Sequence, residues 1–440
     1  MAQYVGQSLP KQMESWDALK GAYRLLKSPR IMPEQMGSGH RALTFSRCQG
    51  HPVVLCVQDD TEIHGARMVA KKGGKSDEIL HSTLAVLPDG NLLGILDQRW
   101  FKRVKRKKGE TRRERSRRWR ETDVWSDAVV GVDALAERMA GGGSSSDEVS
   151  DSACRMIHVA DRASDNLRFM HICLSVEHGF VIRAMHDRRV EDGTAKLWDH
   201  MASQTPAGTI TARIGQQRNA SGKIMRQKRE AILTVRFASV QLEVPQNHVD
   251  KDKYEPLTVQ VVYLREENPP AGVEAVDWML LTSEAVMDFA AACVIVGYYQ
   301  RRWLIEEWHR ALKEGCRLED SQVHEILTLR RLSAILSVIA VRLLQVRNLA
   351  QGKAKDAPKA LQATVDSVWI EVVALLAEVE TDELTPERFW KTVARKGGFI
   401  GRRSDGHPGW KVIWRGWHDI SLMIQHAKLL QKKTHIKKCG

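Results

Sequence analysis

Asp59 follows the apolar run Val53-Val54-Leu55-Cys56-Val57 and its Gln58, and Asp161 follows Met156-Ile157-His158-Val159-Ala160. An acid ending a short buried strand stands at the crevice where α/β sheets place their ligands. Two such carboxylates brought to one point repel each other unless a cation sits between them, and hard oxygen donors select Mg²⁺ or Mn²⁺. Taken singly, an aspartate at a strand end is also a common turn or helix-capping residue. The two lie 102 residues apart in the chain, so only a folded sheet can unite them. A third acid comes from a different pattern. Tyr299, Arg302, Glu306, Arg310 and Lys313 recur at steps of three and four and so share one helix face, while Ile305, Trp308 and Leu312 lie on another that can anchor the helix. One acid among several bases and a tyrosine can hold a metal while its neighbours grip phosphates. The plainer alternative is an exposed helix laced by pairs such as Glu306 with Arg310, each contributing tenths of a kcal/mol.

The elements that would position these residues read as an α/β chain. Residues 1–50 are helical in pattern, with Trp16, Leu19, Ala22 and Tyr23 at helical spacing and Pro29 and Pro33 closing the segment. Val53 to Val57 reads as a central strand stopping at Gln58-Asp59-Asp60. Leu80–Leu87 and Leu92–Leu96 form a hairpin through Pro88-Asp89-Gly90. A helix spans Asp123–Ala140, and Gly141 to Ser146 make a flexible loop. Strands at Met156–Ala160 and Gly179–Arg183 flank a helix over Leu167–Glu177. Residues 190–275 are β-rich, with strands at Ala231–Phe237 and Leu257–Leu264, and Trp278–Thr282 is one more strand. Helix then runs from Val286 to about Gly315, through Leu349, and again over Leu361–Glu378. The lysine-rich tail Ala427–Lys438 is expected to be exposed.

Charge narrows the partners. The net charge is +13, and from Arg99 to Arg120 there are 13 Lys or Arg against Glu110 and Glu114, an excess of 11. With Trp100, Phe101 and Trp119 interleaved, the segment suits either a polyanion-contacting surface or a solvated basic loop. At 440 residues, 43% hydrophobic and 28% charged, the chain can form two or three domains and is not of disordered composition. Its longest apolar stretches, Phe289 to Val296 and Ala334 to Val341, are far short of the roughly 18 residues of a membrane span. No signal peptide opens the sequence, which predicts a cytoplasmic protein. The seven cysteines include no CxxC pair, which favours free buried thiols over a disulfide framework or zinc ribbon.

The order Tyr299, Arg302, Glu306, Lys313, with two, three and six residues between them, resembles the YREK signature of bacterial DDE transposases of the insertion-sequence-four family. A similarity to the cut-and-paste transposases of the Tn-five type runs from about Gly6 to Trp417. Gln58-Asp59-Asp60-Thr61, Val159-Ala160-Asp161-Arg162, Trp278 to Glu284, Gly398-Phe399 and Trp414-Arg415-Gly416-Trp417 carry it too. The resemblance implies a ribonuclease-H-like catalytic core over 51–189 and 276–350, a β-rich insertion over 190–275 and a helical dimerisation region over 351–440. It makes residues 1–50 the shortened remainder of an N-terminal DNA-binding part. It implies Asp59, Asp161 and Glu306 as catalytic ligands of two Mg²⁺ (or Mn²⁺) ions, and Trp278 as the residue that stacks on a base flipped out of the transposon end. Tyr299, Arg302, Arg310, Lys313 and Arg183 then contact DNA. The implied partners are inverted-repeat transposon ends, target DNA and a second copy of the chain, on the nucleoid and away from membranes. The implied reaction is nicking, hairpin formation and opening, and strand transfer. An end-binding-deficient inhibitor of transposition and a metal-dependent nuclease of the same fold are the alternatives.

Overall fold

The computed structural model describes residues 8–13, 15–64, 78–103, 107–111, 114–115, 118–140, 154–190, 195–215, 217–218, 221, 224–245, 253–323, 325–352, 357–402 and 405–438, with backbone alone at 140, 217–218, 224, 357 and 427–438. The expected loop at 141–146 lies outside them, and so do the side chains of the C-terminal tail.

One mixed sheet organises the chain. Strands β1 (Val53–Glu62), β2 (Glu78–Val86) and β3 (Leu92–Lys102) form an antiparallel meander. Its first turn of hairpin chemistry is as expected: the Gly90 amide donates to the Leu87 carbonyl at 2.8 Å, with Gly90 at a φ of +98° that a side chain would resist. Strands β4 (Arg155–Ala160) and β5 (Gly179–Arg183) then add in parallel on the other side of β1. In chain order there follow β6 (Arg189–Val190), β7 (Ala195–Lys196), β8 (Gly208–Ile214), β9 (Gln217–Arg218), β10 (Ile224–Arg226), β11 (Arg229–Leu242), β12 (Leu257–Arg265) and β13 (Asp277–Thr282). The sheet runs β3-β2-β1-β4-β5-β13-β12-β11-β6-β7, with β8 beside β11 and β9–β10 forming a ribbon of their own. Most of the β-rich stretch at 190–275 therefore continues the central sheet through β13.

Alternation along the strands gives the sheet two apolar faces. Leu55, Val57, Val159 and Val181 point to one, where Ile305, Trp308 and Leu312 are fully buried, as the anchoring face requires. Val54 and Cys56 point to the other, toward α4 (Ser38–Cys48) and α5 (Asp123–Ala140), and α6 (Leu167–Ser175) covers the same side farther along. Ahead of α4 lie α1 (Leu9–Gln12), α2 (Trp16–Lys27) and α3 (Pro33–Met36). Pro33 opens α3 at its first position, where its missing amide costs nothing, rather than ending a helix.

Later helices are α7 (Leu197–Ser203), α8 (Phe289–Gln300), α9 (Trp303–Arg310), α10 (Ile326–Gln351), α11 (Ala357–Thr364), α12 (Ser367–Ala377), α13 (Pro386–Lys396) and α14 (Trp410–Lys438). The expected helix from Val286 to Gly315 is corrected in three places. It starts at an Asp288 cap whose Oδ1 accepts from the Ala291 amide, it turns at Arg301–Arg302, and it ends in a π-helical turn, Ala311–Gly315. The single helix read over 361–378 is likewise two, because Asp366 caps the start of α12. No helix among the described residues is long and apolar enough to cross a membrane. The six described cysteines are unpaired, but Cys154 and Cys293 are only half-buried.

The described residues of the basic segment make contacts that neither expectation included. Its first residues belong to β3, and five of its described bases are in ion pairs: Arg99 with Asp97 at 2.7 Å, Lys102 with Glu78 at 3.0 Å, Arg103 with Glu62, Arg118 with Glu110 at 2.5 Å, Arg120 with Asp123 at 3.2 Å; Lys107, Lys108 and Arg115 are exposed. Phe101 is buried with its edge on Trp119, and Arg330 covers the Trp100 ring. Trp119, in turn, remains 37% exposed.

Candidate active site

Strand β1 does not stop at Gln58. Its antiparallel ladder with β2 runs on to Glu62, while its parallel ladder with β4 ends at the pair Val57 and Val159. Asp59 and Asp161, each two residues beyond that pair, therefore stand side by side where the two parallel strands part. Asp161 also takes the capping role: it precedes the short turn Arg162–Ser164, and its Oδ1 accepts from the Ala163 amide at 2.8 Å. Its second oxygen is left to do other work.

Glu306 arrives from α9. The Arg302 guanidinium donates from Nη1 to Asp59 Oδ2 at 3.0 Å and from Nη2 to Glu306 Oε1 at 2.5 Å, tying helix to strand across 243 residues of sequence. Asp59 Oδ1 accepts from the Asp60 amide. Burial pushes the Asp59 carboxyl up to about 7, against the pull of Arg302, and the Asp161 charge adds to the rise. Tyr299 is buried under the same corner, its phenol raised by burial and drawn back by Arg302 and Arg183. Trp278 sets its ring edge-on to Tyr299 at 5.5 Å, and Arg183 donates to the backbone carbonyl of Asp277 at 2.7 Å.

The structure thus gathers Asp59, Asp161, Glu306, Arg302, Tyr299, Trp278 and Arg183 at one corner of the sheet. Arg310 is not among them: it is exposed on α9, and Glu306 pairs with Arg302, not with Arg310. Lys313 sits in the π turn and pairs with Glu319 at 3.7 Å, a carboxylate that also accepts from the His64 amide. Among the described residues, no three His, Cys, Asp or Glu side chains are grouped so as to hold one metal ion. The donor set itself is all carboxylate oxygen, the ligand type that a hard divalent cation takes.

A buried polar chain behind the site escaped the sequence reading. His81 Nδ1 meets Asp60 Oδ1 at 2.6 Å and its Nε2 meets Gln58 Oε1 at 3.1 Å. Gln58 Nε2 then reaches His158 Nδ1 at 2.6 Å, and His158 Nε2 reaches His178 Nδ1 at 3.0 Å. The chain crosses β2, β1 and β4 on the face opposite Asp59 and stiffens the strands that carry both aspartates. The signal was a polar residue breaking each apolar run: His81 within Leu80–Leu87, His158 within Met156–Ala160.

This chain and its neighbours make the fold acid-sensitive. Burial holds His178 down at about 4, holds His309 at about 3 with Lys313 adding to it, and holds His40 at about 4 with Arg47 adding to it. Each stays neutral when folded yet takes a proton near pH 6.5 when unfolded, so its stability is lost as pH falls from 6.5 toward 4. Asp59, raised when folded, works the opposite way between 3.8 and about 7. Asp97, also raised by burial, joins Asp59, and His158, also held down by burial, joins the other three, so four imidazoles outweigh two carboxyls, and each unbalanced proton contributes up to about 1.4 kcal/mol per pH unit. The urea midpoint is expected to be lower at pH 5 than at pH 7; an equal or higher midpoint at pH 5 refutes this.

The corner defines a class: an α/β protein with an acidic site where parallel strands diverge, backed by Tyr and Arg side chains. Residues 385–435 match the family model described as the transposase Tn5 dimerisation domain. The match supports a transposase of the Tn5 type and a homodimer, with the matched residues in α13, α14 and the chain between them.

Proposed function

We propose that the chain is a DDE transposase that moves DNA by cut-and-paste, with Asp59, Asp161 and Glu306 as its metal-binding carboxylates. The observation carrying this is the convergence of three acids from separate elements on one corner, in a chain whose C-terminus resembles a transposase dimerisation domain. The antiparallel meander followed by two parallel strands, with helices on both faces, supports a ribonuclease-H-like core. The YREK spacing supports membership of the insertion-sequence-four family.

Divalent ions bound there would activate a water or a 3′-hydroxyl and stabilise the leaving oxygen of an in-line displacement at phosphorus. The chain's own residues do the rest. Asp59 and Asp161 are held side by side by the strand register, and Glu306 is held by a helix anchored through Ile305, Trp308 and Leu312. Tyr299, Arg302, Lys313 and Arg183 supply the hydroxyl and charged donors that would orient a phosphate backbone, Arg302 and Arg183 with planar forks suited to phosphate oxygens. Arg310, exposed on the outer side of α9, is left to longer-range attraction of DNA. Trp278 is half-buried with one edge fixed on Tyr299, so its indole is oriented before a flipped base arrives, and such stacking returns about 1 to 3 kcal/mol of the unstacking cost.

The test is incubation with labelled terminal-inverted-repeat DNA from beside the encoding gene, in Mg²⁺ or Mn²⁺. Nicked, hairpinned and integrated products are expected. Simple cuts alone would identify a nuclease, and end-independent dimerisation without cleavage an inhibitor. Trp278→Ala is expected to slow hairpin formation at least tenfold more than first-strand nicking; equal effects on the two steps would remove the base-stacking role.

A further inference from the structure

We propose that Arg302 is a positioning residue that occupies the metals' place: its guanidinium holds Asp59 and Glu306 together until divalent ions displace it, and it is then released to a DNA phosphate. The inference rests on the DDE reading above and goes beyond it. Arg302 is poorly placed for an ordinary helix-surface pair. It lies in the turn between α8 and α9, makes no capping contact with its side chain, and has only 16% of that side chain exposed. A surface Arg with Glu four residues later contributes tenths of a kcal/mol, less in this orientation than with Glu first. Here the same guanidinium also crosses to β1 and closes a fork over two carboxylates that would otherwise repel.

The fork bridges Asp59 and Glu306, two of the acids that a shared cation would have to join. One positive charge serves Asp59 and Glu306 directly, and the strand register sets Asp161 beside Asp59, so a doubly charged ion is the stronger partner for the set. Tyr299, beside Trp278 and Arg183, also lies against the guanidinium, so a displaced fork stays among the residues proposed to contact DNA. Metal loading and gripping of a DNA end therefore draw on one side chain. By linkage, each should strengthen the other.

The experiment is Mn²⁺ titration of the full chain by calorimetry, for wild type, Arg302→Gln, Arg302→Lys and Glu306→Gln, with circular dichroism of each. Arg302→Gln is expected to bind Mn²⁺ at least tenfold tighter than wild type, about 1.4 kcal/mol, and Arg302→Lys, which keeps the charge but loses the fork, by a smaller factor. Inverted-repeat DNA should tighten Mn²⁺ binding to wild type and leave Arg302→Gln unchanged. Folded Arg302→Gln or Arg302→Lys binding Mn²⁺ no better than wild type overturns the proposal. Glu306→Gln separates the two levels: if it binds Mn²⁺ as well as wild type does, the metal site itself is elsewhere and the DDE reading falls with it.

Discussion

Asp161→Asn and Glu306→Gln are each expected to lower metal-dependent strand cleavage at least a thousandfold, about 4 kcal/mol of transition-state stabilisation, while leaving the urea midpoint near that of wild type. A neutral amide keeps the shape of the acid but donates poorly to a divalent ion, and losing a single preorganised electrostatic contact costs a hundred- to a thousandfold elsewhere. The choice of Asn at 161 follows from the structure. Asp161 caps the turn at Arg162–Ser164, and alanine there would forfeit about 0.5 to 2 kcal/mol of stability, confusing a folding defect with a chemical one. Asn caps as well as Asp. Glu306 has 31% of its side chain exposed, and Gln preserves an oxygen for the Arg302 contact. Gel analysis of labelled ends in Mg²⁺ or Mn²⁺ is the readout, and either variant still cleaving at the wild-type rate would remove that residue from the metal set.

Much of this corner was legible in the chain, for local reasons. Short apolar runs ending in acids marked β1 and β4, and a three-and-four repeat marked the face of α9 with its anchors Ile305, Trp308 and Leu312. What escaped depends on partners distant in sequence. Strand β1 continues past Asp59 because β2 goes on pairing with it after β4 has left, and nothing in Gln58-Asp59-Asp60 announces that neighbour. The basic segment looks unbalanced over 22 residues, yet Glu62 and Glu78 reach it from other strands. The turn at Arg301–Arg302 hides inside a helical pattern, and it is this turn that lets one arginine face both α9 and β1. Gln58, His81 and His158 on central strands, and His178 just ahead of β5, read as isolated polar residues until cross-strand pairing joins them.

Gly416→Val is expected to destabilise the C-terminal region by about 3 kcal/mol, the upper range for overpacking, and to dissociate the dimer. Helix propensity alone argues the other way, since any residue but proline improves on glycine inside a helix, by at most about 1 kcal/mol. Packing decides. A Cβ on Gly416 would fall on the Val393 carbonyl oxygen of α13, and one on Gly397 on the Val412 carbonyl of α14, so backbone meets backbone from both sides and no side chain can yield. Aromatic rings lock the crossing: Phe389 and Trp390 of α13 meet Trp417 at 6.1 Å and Trp410 at 5.6 Å on α14, while Trp369 of α12 stacks on Trp417 at 4.3 Å and Arg347 of α10 lies over Trp410. Forcing α14 outward would also lift Trp414 from Gly315, the last residue of the π turn that follows the Glu306 helix. The damage should therefore reach cleavage as well as association. Gly297→Ala in α8, where an added Cβ meets nothing within 4 Å, is the matched control and is expected to be neutral or stabilising. Urea unfolding and sedimentation velocity of the two variants decide the matter: a Gly416→Val chain as stable as Gly297→Ala, sedimenting as a dimer, would show that the α13–α14 contact does not hold the dimerising region in shape.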